Sequence, residues 1–306
     1  MESFLIESSD VAEGNDRALE AVMNPIAKIV FKLFTNFWAK YPPEQQWLMV
    51  LRGEDPALRR YRHILGLLPA DPRCKFCNAP FRGPGAPFAR LVGRGRSKLN
   101  PRFCRICLET IPVGGAEIEH TMLFADVRGS TGLAEKMSVS EYSQLINRFY
   151  VASTSVLTRS DALIERLAGD QVIGLYIPGF AGPDHAGQAV RAAQELLHVT
   201  GHNGNSDPWI SIGIGLHTGT SFVGAVGSED GVTSITALGD AVNVAARLSS
   251  QAGPGEILLS EETYRAAGLE ASGLEQRQLE LKGRRQPVVV RTLTGPSRLD
   301  SPYSHR

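Results

Sequence analysis

The chain has 306 residues, its 32 Lys and Arg are balanced by 32 Asp and Glu, and 42% of it is hydrophobic. That composition excludes a wholly disordered or fibrous chain and gives enough length for one sizeable core plus a smaller unit. No apolar run approaches the roughly 18 residues a spanning helix needs, and the first residues are acidic and polar, so a soluble cytoplasmic protein without a transmembrane segment is expected.

Residues 1–23 carry six acids and one Arg and read as a flexible tail. From Asn24-Pro25 onward, Ile26, Ile29, Val30, Leu33, Phe34, Phe37 and Trp38 fall on one helical face, with Lys28, Lys32 and Lys40 off it. Such a stripe is buried against its own domain or a twin chain, or else lies on a membrane surface. Pro42-Pro43 ends this helix, and a second helical pattern from about Glu44 to Leu68 breaks at Asp55-Pro56. Residues 24–71 are therefore expected to form a helical segment that dimerises or regulates.

Residues 72–115 hold all four cysteines, as Cys74-Lys-Phe-Cys77 and Cys104-Arg-Ile-Cys107 with 26 residues between the pairs. Two such knuckles place four thiolates around one structural Zn²⁺, a closed site with no position left for substrate. An iron–sulfur cluster or paired redox thiols are the alternatives. Residues 72–107 also contain nine Lys and Arg and no acid. These charges either form a nucleic-acid surface, together with Phe81 and Phe88, or offset the negative thiolate cluster; the second is expected.

From Ala116 to residue 296 the pattern changes to strands interleaved with helices, which predicts an α/β or α+β domain. Thr121–Ala125, Val172–Ile177 and Trp209–Leu216 read as strands. Ser138-Val-Ser-Glu141 is a capping box that starts a helix through about Leu157, and Pro183-Asp184 starts another that ends near His198. Residues 297–306 read as a second flexible tail.

Three segments of this domain carry candidate chemistry. In Phe124-Ala-Asp126-Val127-Arg-Gly129-Ser130-Thr131 an acid ends an apolar strand and a Gly turn leads into a helix. Backbone N–H groups at such a turn can receive phosphate while the acid ligates Mg²⁺, or Asp126 merely caps the helix. In Glu165-Arg166-Leu-Ala-Gly169-Asp170 a hairpin turn would project Asp170 from the sheet, although Asp and Gly are also the ordinary residues of such a turn. In Thr236-Ala-Leu-Gly-Asp240-Ala-Val-Asn243-Val-Ala-Ala-Arg247 a helix begins with Asp240 as its expected cap, and Asn243 and Arg247 share one face.

Together the three segments, in this order and spacing, resemble the catalytic domain of class III nucleotidyl cyclases over about residues 117–295. The resemblance implies a ferredoxin-like βαββαβ fold, of α+β class, that works as a homodimer with shared active sites. It implies that Asp126, Asp170 and the Val127 carbonyl hold two Mg²⁺ or Mn²⁺ ions, and that Asn243 and Arg247 act on substrate bound by the partner subunit's metal acids. Lys282, in Leu279-Glu-Leu-Lys282-Gly283, would reach the terminal phosphates, or it is simply an exposed turn Lys. In adenylyl members a Lys four residues before the second acid meets adenine N1, and an Asp or Thr seven before the Asn meets the exocyclic amine. This chain has Arg166 and Thr236 there. ATP is thus the expected substrate and 3′,5′-cyclic AMP the product. The alternatives are CTP, which offers the same acceptor and amine, and a silent cyclase-like module that senses nucleotide or binds protein. Arg166 departs from the family's Lys, and its planar fork is no neutral replacement.

Overall fold

The computed structural model describes residues 41–67, 72–97, 103–109, 114–204, 207–227, 233–269, 273–280 and 287–294. The acidic stretch 1–23, the amphipathic stretch 24–40, Lys282 and the tail 297–306 lie outside the described residues. The chain divides into two compact units. One takes the described residues up to Ala116 with residues 223–227 and 233–236; the other takes the remainder from Glu117. Among the described residues no helix is long and apolar enough to cross a membrane.

In the first unit, helix α1 (Pro43–Arg52) opens with Pro at its first turn, where the missing N–H costs nothing, and closes on Gly53 in the left-handed region (φ 69°). Helix α2 (Pro56–Gly66) is capped by Asp55, whose Oδ1 accepts from the Leu58 N–H at 2.6 Å. The sequence break at Asp55-Pro56 is thus a true helix boundary. Arg73 donates to the Leu65 carbonyl at the end of α2 (2.8 Å) and to the Asn78 carbonyl (3.1 Å), and Asn78 Nδ2 donates back to the Arg62 carbonyl (3.2 Å). The first cysteine knuckle is thereby tied to α2. Short helices α3 (Ala86–Leu91) and α4 (Arg105–Glu109) complete this unit.

The second unit is built on a mixed sheet. Its strands are β1 (Gly114–Val127), β2 (Leu163–Ala168), β3 (Gln171–Tyr176), β4 (Ile212–Gly227), β6 (Glu256–Ser260), β7 (Glu275–Leu279) and β8 (Val288–Thr294), ordered β2-β3-β1-β4-β6-β8-β7. The first residues of β1, up to Ala116, and the last of β4, from Val223, group with the first unit, and β5 (Thr233–Leu238) pairs with β4 off that path. Between the strands run α5 (Ser130–Lys136), α6 (Val139–Arg159), α7 (Pro178–Ala181), α8 (His185–Thr200), α9 (Asp240–Gln251) and α10 (Glu261–Ala266). The succession β1-α6-β2-β3-α8-β4, with β3 antiparallel to both β1 and β2, is the expected βαββαβ core.

Helix α6 begins where the capping box places it: Glu141 N–H donates to Ser138 Oγ and Ser138 N–H to Glu141 Oε2. It buries Ile146, Phe149, Val156 and Leu157, and α8 buries Ala189, Val190, Ala193, Leu196 and Leu197, in one core with Leu123, Val172, Ile214 and Ile257. Each large apolar side chain so buried contributes about 1.5–3 kcal/mol. Helix α9 lies against β4 at backbone contact. A Cβ on Gly213 would sit 2.7 Å from the Ala252 carbonyl oxygen, and one on Gly215 would collide with the Ser249 nitrogen and lie 2.6 Å from the Ala245 carbonyl oxygen. Gly213 and Gly215, interleaved with Ile212, Ile214 and Leu216, therefore set how closely the Asn243 helix approaches the sheet.

Candidate active site

Asp126, the penultimate residue of β1, lies opposite Gln171, and the last, Val127, donates its N–H to the Asp170 carbonyl at 3.0 Å. The register of β1 on β3 thus sets the two acids beside each other at one end of the sheet. Asp170 occupies the two-residue turn between β2 and β3, whose first residue, Gly169, takes the left-handed conformation such a turn demands (φ 59°). Tyr150 on α6 donates its hydroxyl to the Gly169 carbonyl at 2.7 Å and pins that turn from the side.

Burial pushes the Asp126 carboxyl above its ordinary range, the Arg128 charge opposes this, and the Asp170 charge adds to it. Burial and then the charge of Asp170 also raise the phenols of Tyr142 and Tyr150. Two neighbouring carboxylates, one of them held above its ordinary range by a burial that a single Arg does not fully offset, are a donor set suited to a hard divalent cation, and the residues present fit that group.

Gly129 also takes the left-handed conformation (φ 69°) and precedes the first turn of α5, where Ser130 and Thr131 lie. On α9, Asn243 is exposed and Arg247 half-buried, one turn apart; among the described residues neither side chain has a hydrogen bond or an ion pair. The helix starts differently from expectation. Its N-cap is Gly239 (φ 142°) without a side-chain bond, and Asp240 is the first helical residue rather than the cap. Gly fits because that φ excludes most side chains, and Asp240 still complements the positive end of the helix.

Arg166 follows a bulge. Ile164 pairs with Gly174 and Arg166 with Ile173, so Glu165 is the extra residue. The Glu165 side chain is 6% exposed and that of Arg166 59%, and their charges pair at 3.5 Å. Thr236 is buried on β5, in the other compact unit.

Arg128 emerges from the structure and not from the sequence pattern. Its guanidinium pairs with Asp126 Oδ1 at 2.9 Å and donates to the Ser250 and Ala252 carbonyls at 3.2 and 3.4 Å. An Arg in a Gly turn reads as solvated, and nothing local marks one that reaches across the fold.

The second constellation is the cysteine cluster. Cys74, Cys77, Cys104 and Cys107 are buried, and their Sγ atoms lie within 4.8 Å of one another. The Cys104 N–H points at Cys74 Sγ (3.2 Å) and the Cys107 N–H at Cys104 Sγ (3.4 Å). Asn78, just after the first knuckle, takes a left-handed conformation (φ 60°) that returns the chain. Four mutually close sulfurs fit a tetrahedral soft or borderline metal ion. Arg94, one of the nine basic residues of this segment, is 1% exposed and places Nη1 3.7 Å from Cys107 Sγ and 4.0 Å from Cys104 Sγ. Burial alone would lower its pKa; the charges of Cys77, Cys107 and Cys104 reverse that and hold it protonated. For this residue the basic charge offsets thiolate. Arg82, Arg90 and Arg96 are exposed, and Arg96 stacks over Phe81 at 5.1 Å.

Comparison with known proteins agrees with this architecture. The family model of the adenylate and guanylate cyclase catalytic domain matches residues 116–294, more than half of the chain. An adenylate cyclase of Anabaena cylindrica is 31% identical over 198 residues, covering 60% of this chain and 38% of that protein. The chain spans well under two thirds of the length of the curated relatives it matches. The crystal structure of the guanylyl cyclase Cya2 superposes with a TM-score of 0.52 at 29% identity, covering 62% of this chain and 98% of the other. The adenylyl cyclase CyaB from P. aeruginosa, at 24% identity and a TM-score of 0.51, covers 60% of this chain and 97% of the other, and shares the fold.

Proposed function

Because the chain belongs to the adenylate and guanylate cyclase catalytic-domain family, we propose that it converts ATP to 3′,5′-cyclic AMP and pyrophosphate at sites shared between two copies of itself. The observation that carries this reading is the position of Asp126 beside Asp170 at one sheet end, while among the described residues no hydrogen bond or ion pair holds the side chains of Asn243 and Arg247 on α9.

In this reading Asp126, Asp170 and the Val127 carbonyl hold two Mg²⁺ or Mn²⁺ ions, with the backbone of Gly129, Ser130 and Thr131 against the phosphates. Bound there, the ions supply acidification of the ribose 3′-hydroxyl and charge neutralisation of the triphosphate. Asn243 of the partner subunit orients the ribose so that the 3′-oxygen lines up with the α-phosphorus. Arg247 of the partner subunit stabilises the charge that develops on the α-phosphate as pyrophosphate leaves. Lys282 is assigned to the terminal phosphates on the resemblance alone. Arg166 donates to adenine N1 and Thr236 accepts from the exocyclic amine; the Glu165 partner of Arg166 competes with the first contact and leaves CTP as the second candidate. The four cysteines hold a structural Zn²⁺, with Arg94 as the buried counter-charge to their thiolates.

Asp126→Asn and Asp170→Asn test the metal assignment. Each is expected to lower cyclic nucleotide formation about 10²-fold or more and to weaken Mn²⁺ binding read by electron paramagnetic resonance without nucleotide. Turnover and Mn²⁺ binding that survive both changes would reject the assignment.

A further inference from the structure

We propose that Arg128 is a positioning residue that serves both active sites of the dimer at once, because one guanidinium fixes the metal-binding acid and the end of the helix that carries Asn243 and Arg247. This inference rests on the shared-site reading above.

The bonds divide into two sets. Toward β1, Nη2 meets Asp126 Oδ1 at 2.9 Å and Nε donates to the Asp126 carbonyl at 3.3 Å, which holds the carboxylate from the side and through its own backbone. Toward α9, Nη1 donates to the carbonyls of Ser250 and Ala252. The last carbonyls of a helix have no partner within it, and a cation there also complements the negative end of the dipole. The anchor itself is held: the Arg128 N–H donates to the Ser211 carbonyl at 2.8 Å, and the side chain is only 18% exposed. Five donors in a rigid fork can satisfy both sets together; an ammonium on a flexible stem cannot.

The geometric consequence depends on which site each end of the fork feeds. Arg247 precedes Ser250 by three residues, about 4.5 Å along the helix axis, so the capped turn adjoins the turn that presents Arg247. In a shared-site dimer Asp126 works with Asn243 and Arg247 of the partner subunit, whereas the α9 that Arg128 caps reaches into the other site. The guanidinium therefore ties the acid half of one site to the helix half of the second.

Crossed heterodimers read this directly. A chain carrying Asp170→Ala and a chain carrying Asn243→Ala are each inactive alone, and mixing them forms one intact site from the acids of the second and the helix of the first. Arg128→Met is then placed in one chain at a time. A two-site role predicts a loss of about 10- to 100-fold in either placement. Arg128→Lys should restore part of the activity in the acid-donating chain and little in the helix-donating chain. Loss confined to the acid-donating chain would reduce Arg128 to a partner of Asp126 alone, and unchanged activity in both placements would remove the role; either result overturns the proposal. Unfolding midpoint and dimer content of each variant separate positioning from collapse. Should Arg128→Met fail to dimerise, the Arg128→Lys chains carry the same comparison. A silent mixture with Arg128 intact would overturn the shared-site reading itself, and the two-site role with it.

Discussion

Glu165 and Arg166 show how one inserted residue changes the meaning of a side chain. The bulge between Ile164 and Arg166 leaves Glu165 largely buried beside an exposed guanidinium, 3.5 Å away. A pair this exposed on one side contributes little to stability, at most about 1 kcal/mol, but it sets where the cation points. In the proposed function, Glu165→Gln frees Arg166 for the base and is expected to lower KM for ATP with kcat little changed. Arg166→Glu reverses the charge that meets adenine N1 and is expected to reduce kcat/KM for ATP by about tenfold or more, since a site built for one hydrogen-bond pattern rejects the other. Steady-state kinetics with ATP, GTP and CTP check both; an unchanged preference in Arg166→Glu would take this residue out of base selection. The acids, the hairpin turn and the Asn243–Arg247 pair were legible in the sequence because each is a local pattern. The bonds of Arg128 to Ser250 and Ala252 span 122 and 124 residues and have no local signature. Arg94 was legible only as part of a basic loop, because burial against thiolates depends on how both knuckles close.

Elements differ in the same way. Helix α6 starts where the Ser138–Glu141 box predicted, since a capping box is complete within four residues. Helix α9 starts one residue away from expectation: its cap conformation follows Gly239, not the best capping side chain. Its seating on β4 is a matter of Gly213 and Gly215, which in the sequence look like ordinary interruptions of a strand. Adding a methyl group at Gly215 forces α9 outward or strains β4, at a cost of about 1–3 kcal/mol. Gly215→Ala is therefore expected to lower Tm by about 2–4 °C for each kcal/mol lost and to lower kcat with it, because Asn243 and Arg247 ride on the displaced helix. Calorimetry and turnover on the same preparation measure the two effects, and an unchanged Tm would show that α9 is not held at backbone contact.

At the scale of the whole molecule, the net neutrality of the chain conceals two different constructions. The catalytic-domain unit is stabilised by a continuous apolar core between the sheet and α6 and α8. In the first unit four buried cysteines lie together; with the proposed Zn²⁺ bound they would supply the kind of cross-link that short chains need where a core alone is thin. Composition and periodicity both shift near Ala116. They did not indicate that residues 223–227 and 233–236 group with the N-terminal unit, since strand pairing between distant segments leaves no periodic trace. Selectivity for ATP, the core of the proposed function, is checked by incubating the purified protein with Mn²⁺ and each of ATP, GTP, CTP and UTP separately and resolving the products by mass. 3′,5′-Cyclic AMP is expected as the dominant product; a cyclic product from GTP or CTP in its place, or no product from any of the four from a preparation shown to be dimeric, would reject the proposed function.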